Sequence, residues 1–297
     1  MTSEPVGLLL VDKPEGPSSH DVTVSVRRLI KTRRIGHAGT LDPFASGLLV
    51  LCVGWAARLA EYLTALPKVY RGVVRLGEVT DTDDLTGEVI QRSDAWRELA
   101  PDQISQAAAG QIGEIEQRPP VYSAKKVAGQ RAYALARRGQ RPQLEPRRVT
   151  VSRLTIRELG LPDIGIEIEC SSGTYVRSIA RDLGEALGVG GHLTSLRRIS
   201  VGDFSIDQAV RLADTTSQQE VIGQLRDLAA AVAHLPQAEV TASAGEALRQ
   251  GRPVTCSGAL GAGPLAVHVE RVFLGIGELR DGRLWPKKVF PTPVVDH

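Results

Sequence analysis

A single carboxylate, Asp42, sits in the run Gly36-His37-Ala38-Gly39-Thr40-Leu41-Asp42-Pro43-Phe44-Ala45-Ser46-Gly47-Leu48-Leu49. Its neighbours are small, apolar or neutral. Glycines at 36, 39 and 47 imply sharp turns or close approach of the backbone to a ligand. Upstream come Arg27, Arg28, Lys31, Arg33 and Arg34, with no acid between Asp21 and Asp42. A lone carboxylate reached through a basic approach suits a catalytic group that meets a polyanion. The plainer alternative is a turn Asp before Pro, capping the strand from Leu48 to Val53. The glycine spacing favours the chemical reading.

The same run resembles the catalytic motif of the TruB family, the bacterial tRNA pseudouridine-55 synthases. Further blocks match in the family's order: Gly7-Leu8-Leu9-Leu10-Val11-Asp12-Lys13-Pro14, Lys68-Val69-Tyr70-Arg71 through Leu76-Gly77, and Thr80-Asp81-Thr82-Asp83-Asp84. Arg118-Pro119-Pro120-Val121-Tyr122-Ser123-Ala124 and Cys170-Ser171-Ser172-Gly173-Thr174-Tyr175-Val176-Arg177 complete the set. The likeness covers about residues 6 to 210. It implies an isomerase that flips the uridine at position 55 of the tRNA T loop, cleaves its glycosidic bond and rejoins the base through C5.

By this resemblance Asp42 initiates cleavage, and Arg177 is its cationic partner. Asp42 must then be ionised, its pKa held low by the cation despite partial burial. Tyr70 stacks on the flipped base, with its hydroxyl free for the C5 proton. Tyr175 and Leu196 contact the uracil, and His37 fills the gap that the base leaves in its stack. Lys13 supports the pocket or a phosphate, and Asp84 organises the site; both are placed among the substrate-binding residues. Arg137, Arg138, Arg141, Arg147 and Arg148 are expected on the RNA backbone, and Arg181 could reach a phosphate. Leu41, Pro43, Phe44 and Leu196 would keep water from the detached base.

Composition agrees. Net charge is only +2, yet between Arg118 and Arg153 ten Lys and Arg face the single acid Glu145. That local field can release phosphate counterions. Cys52, Cys170 and Cys256 are odd in number and widely spaced, which argues against a disulfide framework or a zinc site and for a reducing compartment. There is no phosphate loop, no dinucleotide fingerprint and no HExxH motif. Asp81-Thr82-Asp83-Asp84 hints at a calcium loop, but Leu85 and Gly87 fall at the wrong positions. An isomerisation calls for no cofactor and no metal. With neither a basic-headed signal peptide nor a long apolar run, the expectation is a cytoplasmic protein with no membrane contact. It is further expected to be a monomer with no obligatory protein partner.

These residues need elements to hold them. Residues 6 to 12 read as a buried strand. Ser18 and Asp21 form a capping-box start to a helix lined by Val22, Val26, Leu29 and Ile30. A helix with Ala56, Leu59, Leu63 and Leu66 on one face follows the strand Leu48 to Val53. Tyr70, Val74 and Leu76 alternate with Arg71, Val73 and Arg75, and Ile164, Ile166 and Ile168 alternate likewise with Gly165, Glu167 and Glu169. Thr174 is expected to N-cap a helix striped by Val176, Ile179, Ala180, Leu183 and Leu187. Without a βαβ rhythm this points to α+β with a mixed, largely antiparallel sheet; the resemblance makes it the pseudouridine synthase fold. The catalytic domain is expected over 1–234, with an RNA-clamping insertion at 118–148 that carries a short helix around Ala132 to Arg138. A small β-rich, PUA-like domain is expected over 235–297, with a hairpin turn at Asp281-Gly282.

Three other readings fit the residues less well. A tRNA-binding folding chaperone without essential catalysis is disfavoured by the intact Asp42, Tyr70 and Arg177. A guide-dependent relative inside a small-RNA particle is disfavoured by the clamp-like insertion. A glycosidase would want a second carboxylate near Asp42, and no motif supplies one.

Overall fold

The alternation around Tyr70 builds the middle of a long sheet. In the computed structural model, which describes residues 4–122, 126–127, 130–131, 144–213, 216–255 and 263–291, nine strands form it. They are β1 (Gly7–Lys13), β2 (Ile35–His37), β3 (Ser46–Val53), β4 (Lys68–Leu76), β5 (Gly113–Gln117), β6 (Arg147–Gly160), β7 (Asp163–Cys170), β8 (Gly191–Val201) and β9 (Phe204–Ser205). Their order is β1-β3-β8-β4-β7-β6-β5, with β2 on β3 and β9 on β8. Every pairing is antiparallel except the short parallel seam of β3 with β8, where Ser46 faces Arg197 and Gly47 faces Arg198. The sheet is thus mixed and largely antiparallel, as the sequence implies.

The unbroken apolar runs of β1 and β3 are buried on both faces. Leu8, Leu10, Leu48 and Val50 enter one core, while Leu9, Val11, Leu49 and Leu51 enter another. Where the pattern alternates, only one face is apolar. Tyr70, Val74, Ile164, Ile166 and Ile168 join a single core, and on the other face Arg71 pairs with Glu167 and Arg75 with Asp163 across the β4–β7 register.

Helix α1 (Ser19–Leu29) begins at the expected capping box of Ser18 and Asp21. The helix expected after β3 starts as a 3-10 turn, Gly54–Leu59, before one α turn, Ala60–Thr64. A second helix, α2 (Pro101–Ala109), contributes Ile104 and Ala108 to the core beneath β4. Helix α3 (Val176–Ala186) buries Val176, Ile179, Ala180 and Leu183 on the same face. Its N-cap is Tyr175, not Thr174. A short β-hairpin pairs 126–127 with 130–131. The helix expected around Ala132 to Arg138 lies outside the described residues.

The C-terminal residues form a second sheet of β10 (Gln237–Val240), β11 (Val254–Thr255), β12 (Pro264–Val269), β13 (Val272–Arg280) and β14 (Arg283–Val289). Its order is β10-β12-β13-β14-β11. Asp281 (φ 50°) and Gly282 (φ 70°) turn β13 into β14, both in the left-handed region that a tight hairpin needs. Phe273, Ile276 and Phe290 share a core with Leu48 and Val50, and Arg58 Nη1 donates to Val289 O at 2.9 Å. Among the described residues, no helix is long and apolar enough to cross a membrane.

Candidate active site

The turn between β2 and β3 carries Asp42. Ala45 N–H donates back to Asp42 O at 3.1 Å, and Ser19 Oγ brackets Leu41 by bonding both its N–H (2.8 Å) and its C=O (3.0 Å). Gly47, at φ 104°, lets the turn enter β3 directly against Arg198. A Cβ there would lie 2.6 Å from Arg198 N and closer still to Arg198 O. Of the glycines in this run, that one is required by close backbone approach.

The loop opens into a cavity of about 250 Å³. Asp42, Tyr70, Tyr175, Arg177 and Leu196 all line it. They come from the β2–β3 turn, β4, the start of α3 and β8, so the site exists only in the assembled sheet. Arg177 is buried, and its Nε lies 2.9 Å from Asp42 Oδ2, an ion-pair distance. The Nε–H has no well-directed hydrogen bond, so the contact is electrostatic more than directional. The other guanidinium nitrogens reach Asp84 Oδ2 (3.2 Å), Thr82 O (3.0 Å) and Tyr122 O (3.0 Å).

Asp42 corrects one expectation. Its side chain keeps 36% exposure at the base of the cavity, yet burial pushes its pKa up, and nearby Asp84 adds to the rise. Arg177 and Lys13 oppose this without reversing it. The cation therefore limits a raised pKa; it does not hold the group below the ordinary carboxylate range.

Two expected substrate contacts do not face the cavity. Lys13 is fully buried, and its amine donates to Pro14 O (2.8 Å), Pro17 O (2.9 Å) and Pro43 O (3.3 Å). It ties the end of β1 to the residue after Asp42, and its carbonyl partners leave it no route to a phosphate. Asp84 is 4% exposed and accepts from Thr82 Oγ1, Thr86 N–H and Thr86 Oγ1. It braces Arg177 from behind. Arg181 is likewise occupied, by Asp83 (3.0 Å), Asp182 (2.7 Å) and Arg118 O (3.0 Å), which corrects its phosphate reading.

His37 lies half-buried on β2, outside the cavity, with Nδ1 unpartnered among the described residues. Burial, with help from Arg198 and His20, lowers its pKa and favours the neutral ring. Leu41 lines the cavity beside Leu196, whereas Phe44 packs into the core and Pro43 is exposed. Arg147 and Arg148 are exposed at the start of β6, opposite Gln117 and Glu116, so the loop between β5 and β6 spans 118–146. Arg137, Arg138 and Arg141 lie outside the described residues.

Two further cations, marked by no sequence signal, stand in the wall. Arg198 is fully buried, donating from Nε to Leu48 O (2.6 Å) and from Nη2 to Gly39 O (3.0 Å). Lys68 is 6% exposed, donating to Thr64 O (2.9 Å) and Leu66 O (2.6 Å). Burial and Arg198 push the Lys68 amine down to about 8. Tyr70 packs beside this pair; burial raises its pKa, and Arg198 moderates the rise. The arrangement is one ionisable carboxylate between apolar and aromatic walls, in a field supplied by buried cations.

The profile described as "TruB family pseudouridylate synthase (N terminal domain)" matches residues 27–176. "tRNA pseudouridylate synthase B C-terminal domain" matches 177–235, and "Pseudouridine synthase II TruB, C-terminal" matches 236–290. A tRNA pseudouridine synthase B of Thermobifida fusca is 46% identical over 299 residues, covering 96% of this chain and 98% of its own. One from Mycobacterium avium is 51% identical over 212 residues, 70% of this chain and 68% of its own. Among solved structures, a chain in the crystal structure of a Cbf5-Nop10-Gar1 complex superposes with a TM-score of 0.74 at 25% identity. That match covers 97% of this chain and 86% of the other.

Proposed function

The chain belongs to the TruB family of pseudouridylate synthases and has their fold, and on that premise we propose that it converts uridine 55 of the tRNA T loop to pseudouridine. The observation that carries this reading is the Asp42 carboxylate, paired with Arg177 at the base of a cavity walled by Tyr70, Tyr175 and Leu196. The curated relatives' name, tRNA pseudouridine synthase B, supports tRNA as the substrate.

The target base leaves its stack and enters the cavity, and the neutral ring of His37 fills the space it vacates. Asp42, ionised, starts cleavage of the N1–C1′ bond. Arg177 stabilises the charged carboxylate against the surrounding burial. Tyr70 presents its ring to the detached base and its hydroxyl to C5, so the base is held while it turns. A C5–C1′ bond forms, the C5 proton leaves and N1 gains one, so atoms and electrons balance without a redox partner. Leu41 and Leu196 exclude water while base and sugar are apart. Arg147 and Arg148, with Arg137, Arg138 and Arg141, hold the RNA backbone. The reading includes a 1–234 catalytic domain, a 235–297 C-terminal domain, and action as a monomer in the cytoplasm.

The test is tritium release from T-arm RNA carrying 5-tritiated uridine. Wild type should release tritium, and Asp42→Asn should not while keeping its RNA affinity. Tight binding with no release from wild type would sink the assignment and favour a role in RNA folding alone.

A further inference from the structure

Gln117 is 1% exposed and ends β5. Its carboxamide engages both backbone polar groups of one distant residue. Tyr175 N–H donates to Oε1 at 2.8 Å, and Nε2 donates to Tyr175 O at 3.1 Å. A buried amide must be satisfied at both ends to avoid a desolvation penalty; here a single residue does both. Tyr175 is a wall of the cavity and the N-cap of α3, and Arg177 follows two positions later.

Nearby bonds share this direction. Ser178 Oγ donates to Arg118 O (2.9 Å), Arg181 Nη2 to Arg118 O (3.0 Å) and Arg177 Nη2 to Tyr122 O (3.0 Å). The first turns of α3 are therefore fastened to the chain as it leaves β5. In the β5–β6 register Gln117 faces Arg147, so Gln117 stands at the neck where the two ends of the 118–146 loop meet.

We propose that Gln117 is a positioning residue for the reaction: by clamping the Tyr175 backbone to the neck of the 118–146 loop, it sets Tyr175 and Arg177 against Asp42. The neck and the catalytic ion pair then move as one unit. This rests on the pseudouridine synthase reading. Three groups act on Asp42: Arg177 from α3, Asp84 from the turn after Thr80 and Lys13 from β1. Of these three, loosening the clamp displaces only Arg177, and the burial that raises the Asp42 pKa then acts with less opposition.

The experiment compares full-length wild type with Gln117→Leu, which keeps bulk and removes both bonds, and with Gln117→Glu, which keeps the acceptor and removes the donor. Tritium release is measured over pH, with kcat and KM separated and RNA affinity measured directly. Gln117→Leu should lower kcat by about 10- to 100-fold, the effect of losing one or two buried hydrogen bonds in the transition state. KM and RNA affinity should stay within about threefold, and the acid limb of the kcat profile should move to higher pH. Gln117→Glu should show the same shifts to a smaller degree, and it stands in if the leucine variant does not fold. Unchanged kcat, a fall in kcat with an unmoved acid limb, or a loss confined to KM overturns the proposal. A wild type that releases no tritium overturns the function reading and this one with it. An active wild type with indifferent Gln117 variants overturns this one alone.

Discussion

Arg177 and Asp84 form a buried ion pair, Nη1 to Oδ2 at 3.2 Å, with side chains only 4% and 5% exposed. The edge of the same guanidinium reaches Asp42 at the cavity base. One cation thus answers two carboxylates, one sealed in the protein and one facing substrate.

Removing that cation should affect stability and catalysis together. Arg177→Met leaves Asp84 buried without its charge partner, which costs about 3–5 kcal/mol in urea unfolding. Arg177→Lys retains charge but cannot span Asp42, Asp84, Thr82 O and Tyr122 O from one point, so kcat should still fall by roughly 100-fold. A lysine variant with wild-type kcat would show that the fork geometry is unimportant.

Asp42→Asn should remove activity, by roughly 10⁴-fold or more, without loosening the fold at neutral pH. The sign follows from the raised pKa of Asp42. A carboxyl whose folded pKa is raised contributes stability when protonated, and that contribution is lost as pH rises through the folded value. The amide of Asp42→Asn does not titrate, so wild type should lose stability relative to the variant as pH rises through the carboxyl's titration. A melting series over pH is the check; a difference that runs the other way would contradict the burial argument.

Lys68 gives the opposite titration. Its folded pKa of about 8 lies below the ordinary 10.5. Between those values the unfolded chain holds a proton that the folded chain has released, so stability gains with rising pH across that window. Relative to Lys68→Met, wild type should gain on the order of 3 kcal/mol between pH 8 and 10.5. A difference that stays flat with pH would mean that the amine is not buried in solution.

Leu196 bears on product identity. Leu196→Asn brings a polar group and water to the cavity wall, so a larger share of turnovers should end as free uracil and an abasic site. Quantifying both products from one reaction is the check; an unchanged ratio would remove Leu196 from the water barrier.

Arg147 is exposed beside the neck of the 118–146 loop and has no described acidic partner. Arg147→Ala should lower the slope of log affinity against log salt by about 0.7–0.9, the effect of one phosphate contact, with kcat unchanged. A slope identical to wild type would place that arginine off the RNA.

Local signals carried much of the fold. The apolar run of β1, the Ser18–Asp21 box, the Tyr70 alternation and the Asp281-Gly282 turn all depend on neighbours within a few residues, and each is present. The gathering of Asp42, Tyr70, Tyr175, Arg177 and Leu196 followed from motif resemblance, since no periodicity links residues so far apart. Arg198, Lys68 and Gln117 were illegible because their partners are backbone groups, and a carbonyl leaves no mark in the side-chain pattern. Thr174 misled for a related reason: the helix starts one residue later, after the N-cap Tyr175, whose backbone N–H and C=O are both held by the Gln117 amide. The Asp42 pKa was misjudged because the sequence displays the cation but not the desolvation around it.

The parallel seam of β3 and β8 also has a temporal meaning. Leu48 O receives its bond from Arg198, 150 positions later. Ribosomes deliver chains from the N-terminus, and such distant closures come late in folding. The nascent polypeptide carries its Asp42 turn through some 150 residues of elongation before the strand that seats it is made, so catalytic competence cannot precede β8.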